Sequence, residues 1–447
     1  MAMDWEKLLT PKRFGKDVPA DINDGRSNFH RDYDRIIFSS AFRRLQGKTQ
    51  VHPSPKNDHI HTRLTHSLEV GCVGRSLGAM AGIALKKNGL LPSDFDPQDI
   101  GAIVQAACLA HDIGNPPFGH AGEEAIRQWF SSVDPNYMLG IEEGKLEDFK
   151  IFEGNAQGFR VITNLEYNLN NGGMRLSYPT LGAFQKYPWT SSSIPKGKEG
   201  KFGCFKSELK QLREVAETLG LIEHPKVKDR WCRHPLAYLV EAADDICYRL
   251  IDIEDAIELG LIRLSELEDI LKPVYGNKLP KDYDSIPKTS PRRKISLLRG
   301  KAMEPIINNV VKVFMEKQNG ILEGKFKGDL IDNCDHDIKA AIQKTKKLAV
   351  EEVFTETRKV QAEIGVYSTM DVLLTTFFEA AKEFVEKAPE GKKLSFKTQR
   401  IVDFMKEHGA QPTLDKYEIY MGINDYVSGM TDDYASFISA QILGLRR

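Results

Sequence analysis

The run Ala102-Ile103-Val104-Gln105-Ala106-Ala107-Cys108-Leu109 is apolar enough that it has to be buried, and it leads into Ala110-His111-Asp112-Ile113-Gly114. Its length and pattern predict a buried helix. Gly114-Asn115-Pro116-Pro117 ends that helix, glycine as a left-handed cap and the prolines because they cannot continue the ladder. A His-Asp pair at the end of a buried helix needs partners, since an unpaired carboxylate is costly to bury. Hydrogen bonds, an ion pair or a metal would each serve, and the dipeptide alone does not choose among them. Two further fragments bear on the choice: Thr65-His66-Ser67 and Ala243-Asp244-Asp245. With the first they supply two imidazoles and two carboxylates, a ligand set for one divalent metal.

The flanking segments are helical by spacing. From Thr62 to about Lys87, Leu64, Leu68, Val73, Leu77, Met80 and Ile83 recur as an apolar stripe, and Arg63 shares a face with His66. A cation beside a metal ligand suits a site where phosphate oxygens bridge metal and protein. A third helix, from about Pro235 to Gly260, turns Leu236, Leu239, Val240, Ala243, Cys247, Leu250, Ile251 and Ile257 to its core side. Asp244, Tyr248 and Asp252 follow one another at steps of four. Asp245 lies between Glu241 and Arg249, where an i,i+4 ion pair satisfies it on a solvated face. The inward role therefore goes to Asp244.

Five words of sequence, in order, carry a family resemblance: Arg43-Arg44-Leu45-Gln46-Gly47-Lys48-Thr49-Gln50-Val51, Thr62-Arg63-Leu64-Thr65-His66-Ser67-Leu68-Glu69-Val70, His111-Asp112-Ile113-Gly114-Asn115-Pro116-Pro117-Phe118-Gly119-His120, Phe152-Glu153-Gly154-Asn155-Ala156-Gln157 and Glu241-Ala242-Ala243-Asp244-Asp245-Ile246. The chain resembles the HD-domain deoxyguanosine triphosphate triphosphohydrolases over residues 25–260, and only generally beyond. The resemblance implies that His66, His111, Asp112 and Asp244 are the metal ligands. Imidazole and carboxylate ligands suit Mn²⁺, Mg²⁺ or Fe²⁺. It implies His120 and Glu123 as proton donor and orienting carboxylate, and Gln50 and Asp252 as partners of the deoxyribose 3′-hydroxyl. Tyr248 then packs the sugar, and Arg63 and Lys186 with Tyr187 contact the phosphates. Animal relatives place a lysine after the aspartate ligand; Asp245 stands there, so other groups must hold the triphosphate.

The implied chemistry is hydrolysis of a dNTP, dGTP favoured, to deoxynucleoside plus inorganic triphosphate, through metal-hydroxide attack at the α-phosphorus. Two alternatives stay open: an HD phosphohydrolase of a nucleotide monophosphate or signalling nucleotide, and a nucleotide- or single-stranded-DNA-sensing oligomer with weak catalysis. The resemblance also leaves room for an allosteric nucleotide, and implies a homo-oligomer, hexamer or tetramer.

Other candidates have plainer readings. His59 and His61 read as loop or rim residues, Arg43 and Arg44 as solvated helix charges, and Asn155 and Gln157 as helix caps. Tyr178, Phe184, Tyr187 and Trp189 read as core. Gln50 could equally hold only a backbone turn.

With 447 residues the chain exceeds the usual single-core size. Strand signals are few, and the expected class is all-α: an N-terminal arm to residue 30, an HD-domain helical core over 31–272, a loop excursion over 273–300 and a C-terminal helical region over 301–447 packed on the core. Ser131–Lys150 and Tyr187–Gly203 read as loops, the second a candidate flap. Lys plus Arg number 62 against 63 Asp plus Glu, so no global charge draws the chain to nucleic acid or membrane. Lys196, Lys198 and Lys201 read as a solvated cluster. Met1–Gly15 is charged and has no apolar signal-peptide segment, no apolar stretch approaches the roughly 20 residues needed to span a bilayer, and the six cysteines lack paired spacing. A cytoplasmic protein with reduced thiols and no membrane partner is expected.

Overall fold

Thr62 starts the helix that carries Arg63 and His66: its hydroxyl accepts from the Thr65 N–H and the Thr65 hydroxyl accepts from the Thr62 N–H, a closed capping box. Asp96 and Asp99 form a second box ahead of the apolar run, with Pro97 in the first helical position. The structure, a computed structural model, describes residues 2–16, 27–51, 59–167, 173–287, 290–353, 355–407 and 413–445. Among the described residues the regular elements are all helical, with only isolated β-bridges such as Thr49–Thr62. The fold is all-α.

The helices that build the site are numbered here in chain order: α1 (Asn28–Ile37), α2 (Arg63–Lys87), α3 (Pro97–Ala110), α4 (Gly119–Ser132), α5 (Gly154–Arg160), α6 (Tyr178–Phe184), α7 (Ala237–Glu258), α8 (Pro291–Leu322), α9 (Thr357–Lys387), α10 (Lys416–Ser428) and α11 (Asp432–Ile442). α2 and α3 approach so closely that a Cβ on Gly78 would lie 2.7 Å from the Ile100 carbonyl oxygen and one on Gly82 2.7 Å from that of Pro97. A stripe of small residues therefore sets the core face of α2. The expected apolar stripe is corrected accordingly: Leu77 is fully buried, but Leu68 is 39% and Ile83 55% exposed. By length and composition alone α2 could cross a bilayer, contrary to the reading of the sequence; half of its most apolar window is buried against the rest of the protein.

Gly114 is also corrected. It is absent from the positive-φ glycines, and a Cβ there would come 2.0 Å from Gly158 N and 2.1 Å from Gly154 O on α5. Close approach, not a left-handed cap, demands glycine.

Two hydrophobic cores result. The first joins residues 3–14, α1, α2, α3, α6, α7, α8 and the chain on to Val353. The second joins α4, Ile141, Phe149, Phe152, Phe202 and Phe205 with α9, α10 and α11. The region beyond residue 301 is thus divided, its first part in one core and its last in the other. Ser131–Lys150 is not all loop, since Glu143–Lys150 is helical and buries Phe149 completely. Residues 2–16 pack on their own chain: Trp5, Leu8, Leu9 and Phe14 are buried, and Arg13 pairs with buried Asp32 at 2.6 Å.

His234 ties that segment to the first core. Its Nε2–H donates to the Leu8 carbonyl (3.0 Å) while Nδ1 accepts from the Leu236 N–H (3.1 Å), an arrangement open only to the neutral ring. Burial pushes its pKa down from 6.5 to about 4. The folded state therefore binds fewer protons than the unfolded one between these values. The stability this gives is present above about pH 6.5 and is lost as pH falls toward 4, on the order of 3 kcal/mol in all. Urea unfolding of the wild type and His234→Gln should differ in stability by about 2 kcal/mol more at pH 7 than at pH 4.5. A pH-independent difference would contradict this account.

Candidate active site

α3 ends at Ala110, and His111 and Asp112 stand in the turn that follows, with the His111 N–H still bonded to the Cys108 carbonyl. His111 Nδ1 lies 2.7 Å from that same carbonyl oxygen and donates to it, so Nε2 is the atom turned toward the carboxylates. Nε2 lies 3.5 Å from Asp244 Oδ1 and 3.6 Å from Asp112 Oδ1. His66, one turn into α2, brings its Nε2 to 3.1 Å from the same Asp244 oxygen. Ligand atoms of His66, His111 and Asp112 lie within 4.8 Å of one another. Asp244 reaches the group from α7. Two imidazoles and two carboxylates thus converge from three elements of the first core.

Their charges compensate one another through protons and ion pairs. Burial opposes ionisation of Asp112, but Arg63 and His111 outweigh it and hold its carboxyl at about 2; Asp244 is held well below the usual range, against its burial, by His111 and His66. Burial likewise disfavours His111 protonation, yet Asp112 and Asp244 raise its pKa to about 9. A divalent cation would replace those protons at oxygen and imidazole donors of the kind it prefers, so the residues present fit one. Arg63 donates to Asp112 Oδ2 at 2.8 Å and fixes its orientation.

His120 and Glu123 come from the second core. Phe118 (φ 63) and Gly119 (φ 58) are both left-handed and turn the chain sharply into α4. A side chain at Gly119 would strike the Arg63 guanidinium, 2.4 Å away. His120 is 81% exposed and its Nδ1 meets Glu123 Oε2 at 3.0 Å. Glu123 is 3% exposed, and its other oxygen accepts from the Gly154 N–H at 2.8 Å. Burial opposes its ionisation, but His120 more than compensates and holds the carboxylate charged. With Nδ1 so engaged, Nε2 is the free nitrogen. One cavity of about 200 Å³ joins His66, His111, Asp112 and Asp244 with His120, Glu123, Gln50, Arg63, Lys186, Tyr187 and Tyr248. A broader cleft of about 840 Å³ between residues 136–145 and 414–417 has mixed charge and no histidine.

A deoxyguanosinetriphosphate triphosphohydrolase-like protein of Pseudomonas aeruginosa is 48% identical over 447 aligned residues, covering 99% of both chains. The chain belongs to the HD-domain dGTPase-like family. The HD domain family itself matches residues 63–157, the stretch that holds His66, His111 and Asp112 of the clustered four. A dGTPase-like protein of Synechocystis is 40% identical (99% of this chain, all of the relative), and a deoxyguanosinetriphosphate triphosphohydrolase of Yersinia pseudotuberculosis 31% (91% and 92%). The protein is a phosphohydrolase.

The remaining residues of this dGTPase-like chain fall into three groups. Lys186 lies 3.4 Å from Glu241 and Tyr187 packs into the second core, both still lining the cavity. Asp252 does not line it: it is 1% exposed, and neither carboxylate oxygen has a hydrogen-bond partner. Burial, then Asp255, pushes its pKa up. Asp245 pairs with Arg249 at 3.6 Å and also stays outside the lining. His61 bonds Asp255 at 2.7 Å, and His59 lies 2.9 Å from Arg292.

Some site residues escaped the sequence reading. Lys201, taken as solvated, lines the cavity and pairs with Glu153 at 3.1 Å. Its backbone carbonyl accepts from the Trp189 indole at 2.8 Å, which folds the loop inward; no local pattern announces that. The cap of α5 is Glu153, not Asn155 or Gln157. Asn155 lines the cavity, while Gln157 donates to Asp425 on α10.

Proposed function

We propose that this phosphohydrolase cleaves dNTPs to deoxynucleoside and inorganic triphosphate, with dGTP preferred. One observation carries the reading: a single cavity joins the His66, His111, Asp112 and Asp244 set to the His120–Glu123 pair, with Arg63, Lys186 and Lys201 around it. A divalent cation held by the four residues would supply positive charge beside the α-phosphate and acidify a nearby water. Arg63, Lys186 and Lys201 neutralise the non-bridging oxygens, since phosphoryl transfer is helped chiefly by positioning and charge. A water gives up one proton to solvent, its oxygen bonds to the α-phosphorus, the P–O5′ bond breaks, and His120 Nε2 gives its proton to O5′, to be reprotonated from solvent. Glu123 orients the ring.

A buried polar atom of the cavity wall without a protein partner, Gln50 Oε1, supports a sugar hydroxyl as the remaining ligand. Tyr248, its ring 6.5 Å from His66, walls that side. The name of the Yersinia relative favours dGTP, and Mn²⁺ or Mg²⁺ suits the ligand set.

Anion-exchange analysis of products from all four dNTPs with Mn²⁺ and with Mg²⁺ tests this. Inorganic triphosphate as the first product is expected. Orthophosphate or pyrophosphate released first reports cleavage within the triphosphate chain and would overturn the mechanism, while dNTPs left intact would point to the monophosphate alternative.

A further inference from the structure

We propose that Asp432, the first residue of α11, is a positioning residue for hydrolysis, clamping the turn that presents His120 to the segment that carries Gln50. The proposal rests on the reading of His120 as general acid. Asp432 is 7% exposed and spends both oxygens on backbone: Oδ1 accepts from the Phe118 N–H at 2.7 Å and Oδ2 from the Thr49 N–H at 2.8 Å. Each donor adjoins a segment of the cavity wall, since Thr49 precedes Gln50 and Phe118 lies two residues before His120.

The clamp sits where the backbone needs it. Phe118 is left-handed, a conformation rare for residues with side chains, so it persists only when its surroundings enforce it. Its N–H precedes the first turn of α4 and has no helical acceptor. An ionised acceptor makes the stronger kind of hydrogen bond, and its removal would leave two N–H groups unpaired in a half-buried corner. A neighbouring tie runs the same way: buried Lys48 donates to the Asn115 carbonyl at 2.6 Å and the Ser428 carbonyl at 2.7 Å. The corner is tight, because a Cβ on Gly47 would lie 2.7 Å from the Thr431 side chain. Glu123 fixes the His120 ring, but the placement of the backbone beneath both depends on Asp432. Displacing a proton donor by about 1 Å costs on the order of 10²-fold in rate.

The test is a double-mutant cycle of Asp432→Asn with His120→Ala, read as kcat for dGTP with Mn²⁺ per folded, metal-loaded chain. Asp432→Asn should lower kcat about 10- to 100-fold in the wild-type background and no more than about twofold once His120 is gone, with metal content unchanged. A stabilising role alone would lower the melting temperature and leave kcat intact. Unchanged kcat, or an equal fold-loss in both backgrounds, overturns the clamp while the general-acid reading stands. Wild-type kcat in His120→Ala overturns the general-acid reading, and the clamp with it. Asp432→Ser, whose hydroxyl accepts one N–H, runs through the same cycle with the same criteria if the asparagine variant does not fold.

Discussion

Alanine at His111 is expected to abolish metal binding and hydrolysis together. The ring is locked by its Nδ1–H bond to the Cys108 carbonyl, so its Nε2 is a preset donor facing Asp112 and Asp244. Losing an outer partner of a metal ligand costs about 10–100-fold in affinity or activity, and losing the ligand itself should exceed the upper figure. Asp112 and Asp244 would then face each other with less compensating charge. Metal analysis of the purified variant beside its dGTP hydrolysis checks both effects; unchanged metal content would remove His111 from the centre. Asp245→Ala is the control, expected to keep its metal and most of its activity. In the wild type, metal uptake at pH 7 should release protons, because the metal-free site holds the His111 pKa near 9.

His120→Ala should lower kcat by about 10²–10⁴-fold, the range for a positioned general acid, while metal stays bound. His120 makes its bond to Glu123 and is otherwise open to the cavity, so its removal leaves the folded chain little disturbed. Glu123→Gln should cost less, and the double variant little more than His120→Ala, since the two groups act as one unit. Glu123 also accepts the Gly154 N–H, so part of its loss should appear in the melting temperature. Kinetics, metal content and a melting curve on each variant separate these effects. Near-normal kcat in a folded, metal-loaded His120→Ala protein would leave the leaving oxygen without its proposed acid.

Much of this protein could be read from local chemistry. The run ahead of His111, the Thr62 and Asp96 caps and the steps of four from Asp244 to Asp252 are set by i,i+3 and i,i+4 geometry, which any short window contains. The helices α2, α3 and α7 follow from such windows, and so does the separation of Asp244 from Asp245. Where reading of the sequence went astray, the deciding contact was distant. Gly114 looked like a cap because nothing nearby says that α5 will press against it, and Leu68 and Ile83 looked like core because small residues on α2 pack more closely than an apolar count suggests. Lys201 looked solvated because the bond that draws its loop inward comes from an indole, and its partner Glu153 lies 48 residues away.

The sequence by itself determined the helical class and named His66, His111, Asp112 and Asp244 as the candidate metal set, since each depends on a short, strongly patterned segment. Only the tertiary structure decided that the site lies on the seam of two cores, with the clustered His66, His111, Asp112 and Asp244 on one and His120 and Glu123 on the other. It alone decided that Asp432, 314 residues from Phe118 and 383 from Thr49, closes that seam. A buried N–H must be paired, but its own sequence does not state which distant oxygen will reach it, because that depends on how whole helices pack.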